Sequence, residues 1–157
     1  MGAFGWNLGD KLPEQFGSEV KDSTYKFTPG TEMLPFDQFE LKVTKDRRIF
    51  CVRAQGYAPD HGADSEVWKQ ALISLLSEKY GLRHPSQVES MSRLKSVGDD
   101  YYFGTVDRTA YLNIYEKNLF TLEYYDGNLR SIYYDEQESK SKKNEADKKA
   151  ALRKGGL

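Results

Sequence analysis

One stretch of the chain has the residue spacing of an amphipathic helix, and it limits how everything else can fold. Within residues 64–81 the large apolar side chains recur at helical spacing, so that one helix face consists of Trp68, Leu72, Leu75, Leu76 and Tyr80. Asp64 or Ser65 can accept hydrogen bonds from the first free N–H groups, and Gly81 can adopt the left-handed conformation that ends a helix. The other segments have the patterns of strands and loops, so we expect the strands to pack on this helix face.

Alternating apolar and polar residues predict two β-hairpins, one before this helix and one after it. The first covers residues 36–55, and the second joins residues 109–115 to residues 120–124. In the first hairpin Phe50, Val52 and Ala54 are expected to point inward, while Ile49 and Cys51 lie on an opposite face that is also covered. The predicted shared core contains Phe39, Leu41, Val52, Trp68, Leu72, Leu75, Leu112 and Leu122.

Two turn signals conflict near residue 126. The pair Asp126-Gly127 between apolar runs is typical of a hairpin, but Asn128 can also cap a helix. That helix would be anchored by apolar residues at helical spacing, which are Leu129, Ile132 and Tyr133. Favourable i, i+4 ion pairs would follow, which are Glu136–Lys140, Glu138–Lys142 and Glu145–Lys149. We therefore favour the helix over the hairpin.

A short N-terminal helix is predicted as well, because Asp10 can cap it and Pro13 suits a first helical turn. The predicted fold is α+β: an antiparallel sheet of four or more strands with the central helix, about residues 65–80, packed on one face. A short N-terminal helix and a lysine-rich C-terminal helix complete it. Residues 1–135 are expected to form a single domain and residues 136–157 a solvated helical tail.

Composition limits the class of protein and the kind of site. A formal net charge of −1 argues against a protein devoted to nucleic acid. The single cysteine excludes an internal disulfide and a cysteine-rich metal site, and we expect neither a metal nor a cofactor. No run approaches the ~20 apolar residues of a membrane span. The start of the chain has no signal peptide pattern, so we expect either a cytoplasmic protein or an exported domain whose leader has been removed.

Few residues could carry nucleophilic or metal chemistry. Cys51 lies mid-strand among apolar neighbours, where a buried cysteine is the usual interpretation. His61 and His84 lie on loops at opposite ends of the central helix, too far apart to share a metal easily. Asp99 and Asp100 are adjacent in a strand and therefore point to opposite faces. A small hydrolase or transferase using His61, His84 or Cys51 is the alternative function.

Tyrosine is the residue type in excess, with 11 copies in the chain. Tyr111, Tyr115 and Tyr125 fall on strand faces that point away from the predicted central helix. Such rings line partner surfaces because tyrosine offers a large amphipathic area at low entropic cost, or else they are covered by the C-terminal helix and loops. We predict a non-enzymatic protein-binding module with these three tyrosines as candidate binding residues; the oligomeric state is left open.

Five short motifs follow one another along nearly the whole chain. They are Gly2-Ala3-Phe4-Gly5-Trp6-Asn7-Leu8-Gly9, Val52-Arg53-Ala54-Gln55-Gly56, Glu78-Lys79-Tyr80-Gly81, Asp99-Asp100-Tyr101-Tyr102-Phe103-Gly104 and Leu122-Glu123-Tyr124 before the lysine-rich tail. In this order they resemble motifs of a group of uncharacterised bacterial proteins that open with Gly-Pro-Phe-Gly-Leu-x-Met-Gly. The resemblance implies a bacterial protein and supports the tail helix at Asp126. It brings no activity, cofactor or catalytic residue.

The opening Phe-Gly-x-x-Leu-Gly more distantly resembles that of small exported α/β proteins that recognise other proteins. Outer-membrane assembly lipoproteins and the β-lactamase inhibitor protein are examples of such proteins. This analogy of fold implies another bacterial protein as the partner.

Overall fold

The computed structural model describes residues 2–17, 19–58, 63–83 and 98–157, and these form an α+β fold. Seven strands make one antiparallel sheet in the order β3-β4-β5-β6-β9-β8-β7, and β1 pairs with β2 in a separate ribbon. The elements in chain order are β1 (Gly2–Ala3), β2 (Trp6–Asn7), β3 (Glu19–Lys21), β4 (Thr24–Lys26), β5 (Gln38–Val43), β6 (Ile49–Tyr57), α1 (Ala63–Tyr80), β7 (Asp99–Gly104), β8 (Arg108–Tyr115), β9 (Leu119–Asp126) and α2 (Gly127–Lys154). The predicted α+β fold with a large antiparallel sheet and a C-terminal helix is confirmed.

The two predicted hairpins are present as β5–β6 and β8–β9, and they lie side by side in the sheet. Their inner strands β6 and β9 pair antiparallel, with Val52 opposite Tyr124 and Ala54 opposite Leu122. One face of this sheet, here called the inner face, carries the main core and packs against α1. The buried inner side chains include Phe39, Leu41, Val52, Ala54, Leu112, Ile114, Phe120 and Leu122.

Helix α1 packs on the inner face along a stripe centred on Leu76, which is buried. Trp68, Leu72, Ile73 and Tyr80 are half-buried against the same core. The prediction for Leu75 is wrong, since 59% of this residue is exposed. Successive helical residues are about 100° apart, and with Leu76 directed at the sheet the preceding position faces solvent.

Gly81 ends α1 as predicted, with a φ of 81° and a hydrogen bond from its N–H to the Ser77 carbonyl. The prediction of a short N-terminal helix is wrong, because residues 2–17 contain strands and turns but no helix. Their backbone groups bond to the β5–β6 turn instead: the Leu12 N–H donates to the Arg47 carbonyl, and the Ile49 N–H donates to the Asp10 carbonyl. These long-range hydrogen bonds replace the local ones that a helix would need.

A β-bulge reverses the predicted orientation of two side chains at the start of β6. Lys42 pairs with Cys51 and Val43 with Ile49, so Phe50 has no partner of its own on β5. The extra residue puts both Phe50 and Cys51 on the outer face, while Ile49 joins the main core. The expectation that Phe50 points inward and Ile49 outward is therefore wrong, whereas the predicted covering of the outer face at Cys51 is confirmed.

Helix α2 forms instead of a hairpin turn, and its cap is Asp126 rather than the predicted Asn128. The Asp126 carboxylate accepts hydrogen bonds from the N–H groups of Asn128 and Leu129, each at 3.0 Å. Leu129 and Tyr133 pack on the outer-face cluster of Phe50, Cys51 and Tyr125, whereas Ile132 is 47% exposed. The first two turns therefore anchor the helix through two residues, not three.

The remainder of α2 is solvated. Every residue from Glu138 to the end of the chain is exposed, and the pairs Glu138–Lys142 and Glu145–Lys149 form at 3.1 and 3.2 Å. Glu136 accepts instead from the backbone N–H of Lys45 at 3.0 Å. The division into a domain of residues 1–135 and a tail of residues 136–157 stays a prediction.

The packing of α1 predicts different costs for two neighbouring leucines. Leu76→Ala should lower the free energy of unfolding by about 2–5 kcal/mol, because it leaves a cavity between helix and sheet. Leu75→Ala is the matched control and should change it by no more than about 0.5 kcal/mol. Urea unfolding followed by circular dichroism measures both, and equal losses would contradict the observed orientation of α1.

Candidate functional site

In the part of the chain that the structure describes, the outer face of the sheet is covered at one end, where α2 crosses it. The Arg130 guanidinium lies 4.4 Å from the centre of the Tyr125 ring, and Tyr133 stacks on Phe50 at 4.6 Å. The helix then reaches the turns beside β5, where the Tyr133 hydroxyl donates to the Asp22 carbonyl. All these contacts lie at the end of the sheet where β9 finishes and β6 begins.

Beyond α2 the outer face continues as rows of side chains that stand opposite one another across five strands. The register gives a first row of Tyr102, Tyr111, Glu123, Arg53 and Glu40, and a second row of Asp100, Asn113, Thr121, Gln55 and Gln38. A third row at the far end contains Tyr115, Leu119 and Tyr57. We call these three rows the open face; its centre is a shallow depression lined by residues of β6, β8 and β9.

Ion pairs and hydrogen bonds hold the centre of the open face in one arrangement. Arg53 lies between two carboxylates, 3.7 Å from Glu40 and 3.4 Å from Glu123. All three side chains are between 23% and 30% exposed, so solvent screens these pairs only in part. The Gln55 amide donates to the Thr121 hydroxyl at 3.0 Å. The open face is therefore a preorganised surface.

The tyrosines at the β7–β8 side belong to the same network. The Tyr111 hydroxyl donates to Asp100 at 2.6 Å, and the Asn113 amide donates to the same carboxylate oxygen at 2.8 Å. The Tyr102 and Tyr111 rings lie 4.9 Å apart. Burial and then the charge of Asp100 raise the pKa of Tyr102, and the charge of Glu116 raises the pKa of Tyr115. Both phenols are therefore neutral at pH 7.

The structure brings together two of the three candidate tyrosines. Tyr111 is half-buried and Tyr115 is 37% exposed on the open face. Tyr125 is only 7% exposed, because α2 and Arg130 cover it. Sequence reasoning missed Tyr57, which is 63% exposed opposite Leu119. The signal was available, since the outward alternation of Cys51, Arg53 and Gln55 continues to position 57.

The residues of the alternative enzymatic function are not assembled in the described structure. Cys51 is 4% exposed, and burial, followed by the charge of Glu123, raises the pKa of its thiol far above neutral. A protonated, buried thiol is a poor nucleophile. His61 and His84 lie outside the described residues. Asp99 and Asp100 pair with Ile114 and Asn113 of β8, and these lie on opposite faces as expected.

Two further observations concern the described residues as a whole. Among them, no group of three or more His, Cys, Asp and Glu side chains is close enough to hold a metal ion. Neither of the two described helices combines the length and apolar composition that crossing a bilayer requires.

The burial of Cys51 predicts the reactivity of the thiol. Native protein at pH 8 should react with a disulfide reagent such as dithionitrobenzoate at least about a hundredfold more slowly than protein unfolded in guanidinium chloride. The control is Ser139→Cys combined with Cys51→Ala, whose exposed thiol should react at once. Rapid reaction of the native wild-type thiol would mean that Cys51 is accessible.

The chain was compared with known proteins at the levels of sequence family, curated sequence and solved structure. A scan against protein-family models, a search of curated proteins and a search of solved structures each find no match. The open face itself is therefore the basis for assigning a function.

Proposed function

We propose that this protein is a non-enzymatic protein-binding module and that the open face is its binding surface. The observation that carries the proposal is an ordered aromatic and polar sheet face that α2 leaves uncovered. The inner face is covered by α1, and the outer end at Tyr125 is covered by α2. Within the described part of the chain, these three rows are the part of the outer face that neither helix covers.

The residue types of the open face suit protein recognition. Tyr57 and Tyr115 flank Leu119 in one row, and together they offer an amphipathic surface with few rotatable bonds to immobilise. Tyrosine is enriched in interface cores and among the residues that dominate binding energy. Because the adjacent Arg53 network is already formed, a partner meets a surface that loses little conformational freedom on binding.

The dimensions of the open face indicate what kind of element it binds. Five strands about 4.8 Å apart span about 20 Å, and three rows cover about 14 Å along the strands. This area is smaller than the ~800 Å² per partner of a standard protein interface. It matches one helix, which is about 10 Å in diameter, better than it matches a whole domain.

The resemblance to small bacterial proteins that recognise other proteins supports the same proposal. It adds the expectation that the partner is another bacterial protein. The buried thiol of Cys51 supports it in a different way, because it removes one nucleophile from the alternative hydrolase or transferase.

The proposal predicts that binding depends on the third row of the open face. A partner is first captured by cross-linking from a bacterial lysate, and its affinity is then measured by calorimetry. The double variant Tyr57→Ala, Tyr115→Ala should bind at least tenfold more weakly, because central aromatic residues contribute about 1.4 kcal/mol or more to binding.

The control for this measurement is Tyr134→Ala, since Tyr134 is 55% exposed on α2 and lies outside the open face. Thermal melts of both variants establish that they are folded. Equal affinity of the double variant and the wild type would contradict the assignment of the open face.

A further inference from the structure

The open face carries a net negative charge. Glu40, Glu123 and Asp100 lie on it with Arg53, which leaves a formal charge of −2 in the first two rows of the five strands. The exposed Lys26 of β4 continues the first row beside Glu40, so the negative charge is concentrated at Glu123 and Asp100. The aromatic rings of Tyr57 and Tyr115 add negatively polarised ring faces that attract cations. Complementary charge selects partners and sets their orientation, so this surface favours an element that carries lysine or arginine.

The end of α2 is such an element within the same chain. Residues 148–157 contain Lys148, Lys149, Arg153 and Lys154 and no acidic residue, so this segment has a formal charge of +4. All of these residues are exposed, and so is Leu152 at 55%. Lys148, Lys149, Leu152 and Arg153 fall within about 140° of the helix circumference and therefore share one face, on which Glu145 of the preceding turn pairs with Lys149 at 3.2 Å.

This basic face cannot reach the open face of its own molecule. Helix α2 is continuous from Gly127 to Lys154, and its first turns are fixed against Phe50 and Tyr125 at the covered end of the sheet. The 17 residues from Glu138 to Lys154 are all exposed and span about 25 Å, and those that line a cleft with the domain, up to Lys143, face β3, β4 and the β5–β6 turn. A contact between the two surfaces must therefore join two molecules.

We propose that the open face binds the basic end of α2 from a second copy of this chain. The inference rests on the proposed function, because it uses the same surface, and it names the partner. Leu152 matches the apolar row of Tyr57, Leu119 and Tyr115, and the flanking cations match the carboxylates of the first two rows. The contact is small and largely electrostatic, so the association is weak, rises with protein concentration and falls with salt.

Light scattering coupled to gel filtration tests this with the full chain. At low ionic strength the mass should rise above the 18.0 kDa of one chain as the protein concentration increases. In about 1 M salt, where the Debye length is about 3 Å, it should return to that of one chain. A wild-type protein that stays at the mass of one chain over the whole concentration range overturns the proposal.

Two sets of substitutions identify the surfaces. The tail variant Lys148→Glu, Lys149→Glu, Arg153→Glu and the face variant Glu123→Gln, Asp100→Asn should each lower the association constant at least tenfold. The matched control for the face variant is Glu32→Gln, Glu78→Gln, which changes the net charge equally at two exposed positions outside the open face. Association that persists in either variant, or that falls equally in the control, overturns the proposal.

A mixture of the two variants provides the strictest arm of the test. The tail variant keeps an intact open face and the face variant keeps an intact tail, so mixing them should restore one contact and produce a 1:1 complex. A mixture that shows only monomers overturns the proposal.

The same experiments separate this inference from the proposed function. If the chain stays monomeric but the captured partner is lost in the Tyr57→Ala, Tyr115→Ala variant, only the self-association is wrong. If those two substitutions change neither the self-association nor the affinity for the captured partner, the open face is not the binding surface and both proposals are wrong.

Discussion

The antiparallel pairing of β6 with β9 joins the two hairpins into one sheet and decides which side chains face α1. With Val52 opposite Tyr124 and Ala54 opposite Leu122, the apolar side chains of both strands meet on the inner face. The same register puts Arg53 opposite Glu123 and Gln55 opposite Thr121 on the outer face. A shift of one residue would bury the charged pair and expose the leucine, so the register is strongly determined by burial.

What separates the covered end of the outer face from the open face is the start of α2. The Asp126 cap begins the helix directly after β9, and the bulge at Phe50 provides an apolar surface on which its first turns pack. Neither of the two described helices covers the rows beyond these contacts. Their polar side chains interact with one another through the Arg53 ion pairs and the hydrogen bonds to Asp100. The surface that we assign to binding follows from where α2 begins and which way it runs.

Local patterns in the sequence predicted the elements that local physics determines. Period-two alternation identified the hairpins, and helical spacing with Gly81 identified α1 and its end. The errors come from long-range contacts. Residues 2–17 form no helix because their backbone groups hydrogen-bond to the β5–β6 hairpin instead. Leu75 faces solvent because the side of α1 that packs on the sheet is centred on Leu76. The side chain of Phe50 changed face because of a bulge that alternation alone cannot reveal.

The sequence predicted only part of the candidate site, again because local patterns do not reveal long-range contacts. Alternation placed Tyr111 and Tyr115 on the outer face, but it could not show that α2 covers Tyr125, that Tyr111 is half-buried beside it and that Tyr115 is exposed. The acidic character of the open face could not be predicted from the sequence either. It depends on Glu40, Asp100 and Glu123 meeting from three strands that are far apart in the chain.

Hydroxyl-radical labelling read by mass spectrometry tests the central claim that α2 covers one end of the outer face and leaves the rest open. The tyrosines are natural reporters, and radical attack on their rings does not require the phenolate. At a concentration where the chain is monomeric, Tyr57 and Tyr115 should label at rates close to that of exposed Tyr134, while Tyr124 and Tyr125 should be strongly protected. Protection of Tyr57 and Tyr115 in the monomer, or labelling of Tyr125 as fast as Tyr134, would contradict the account.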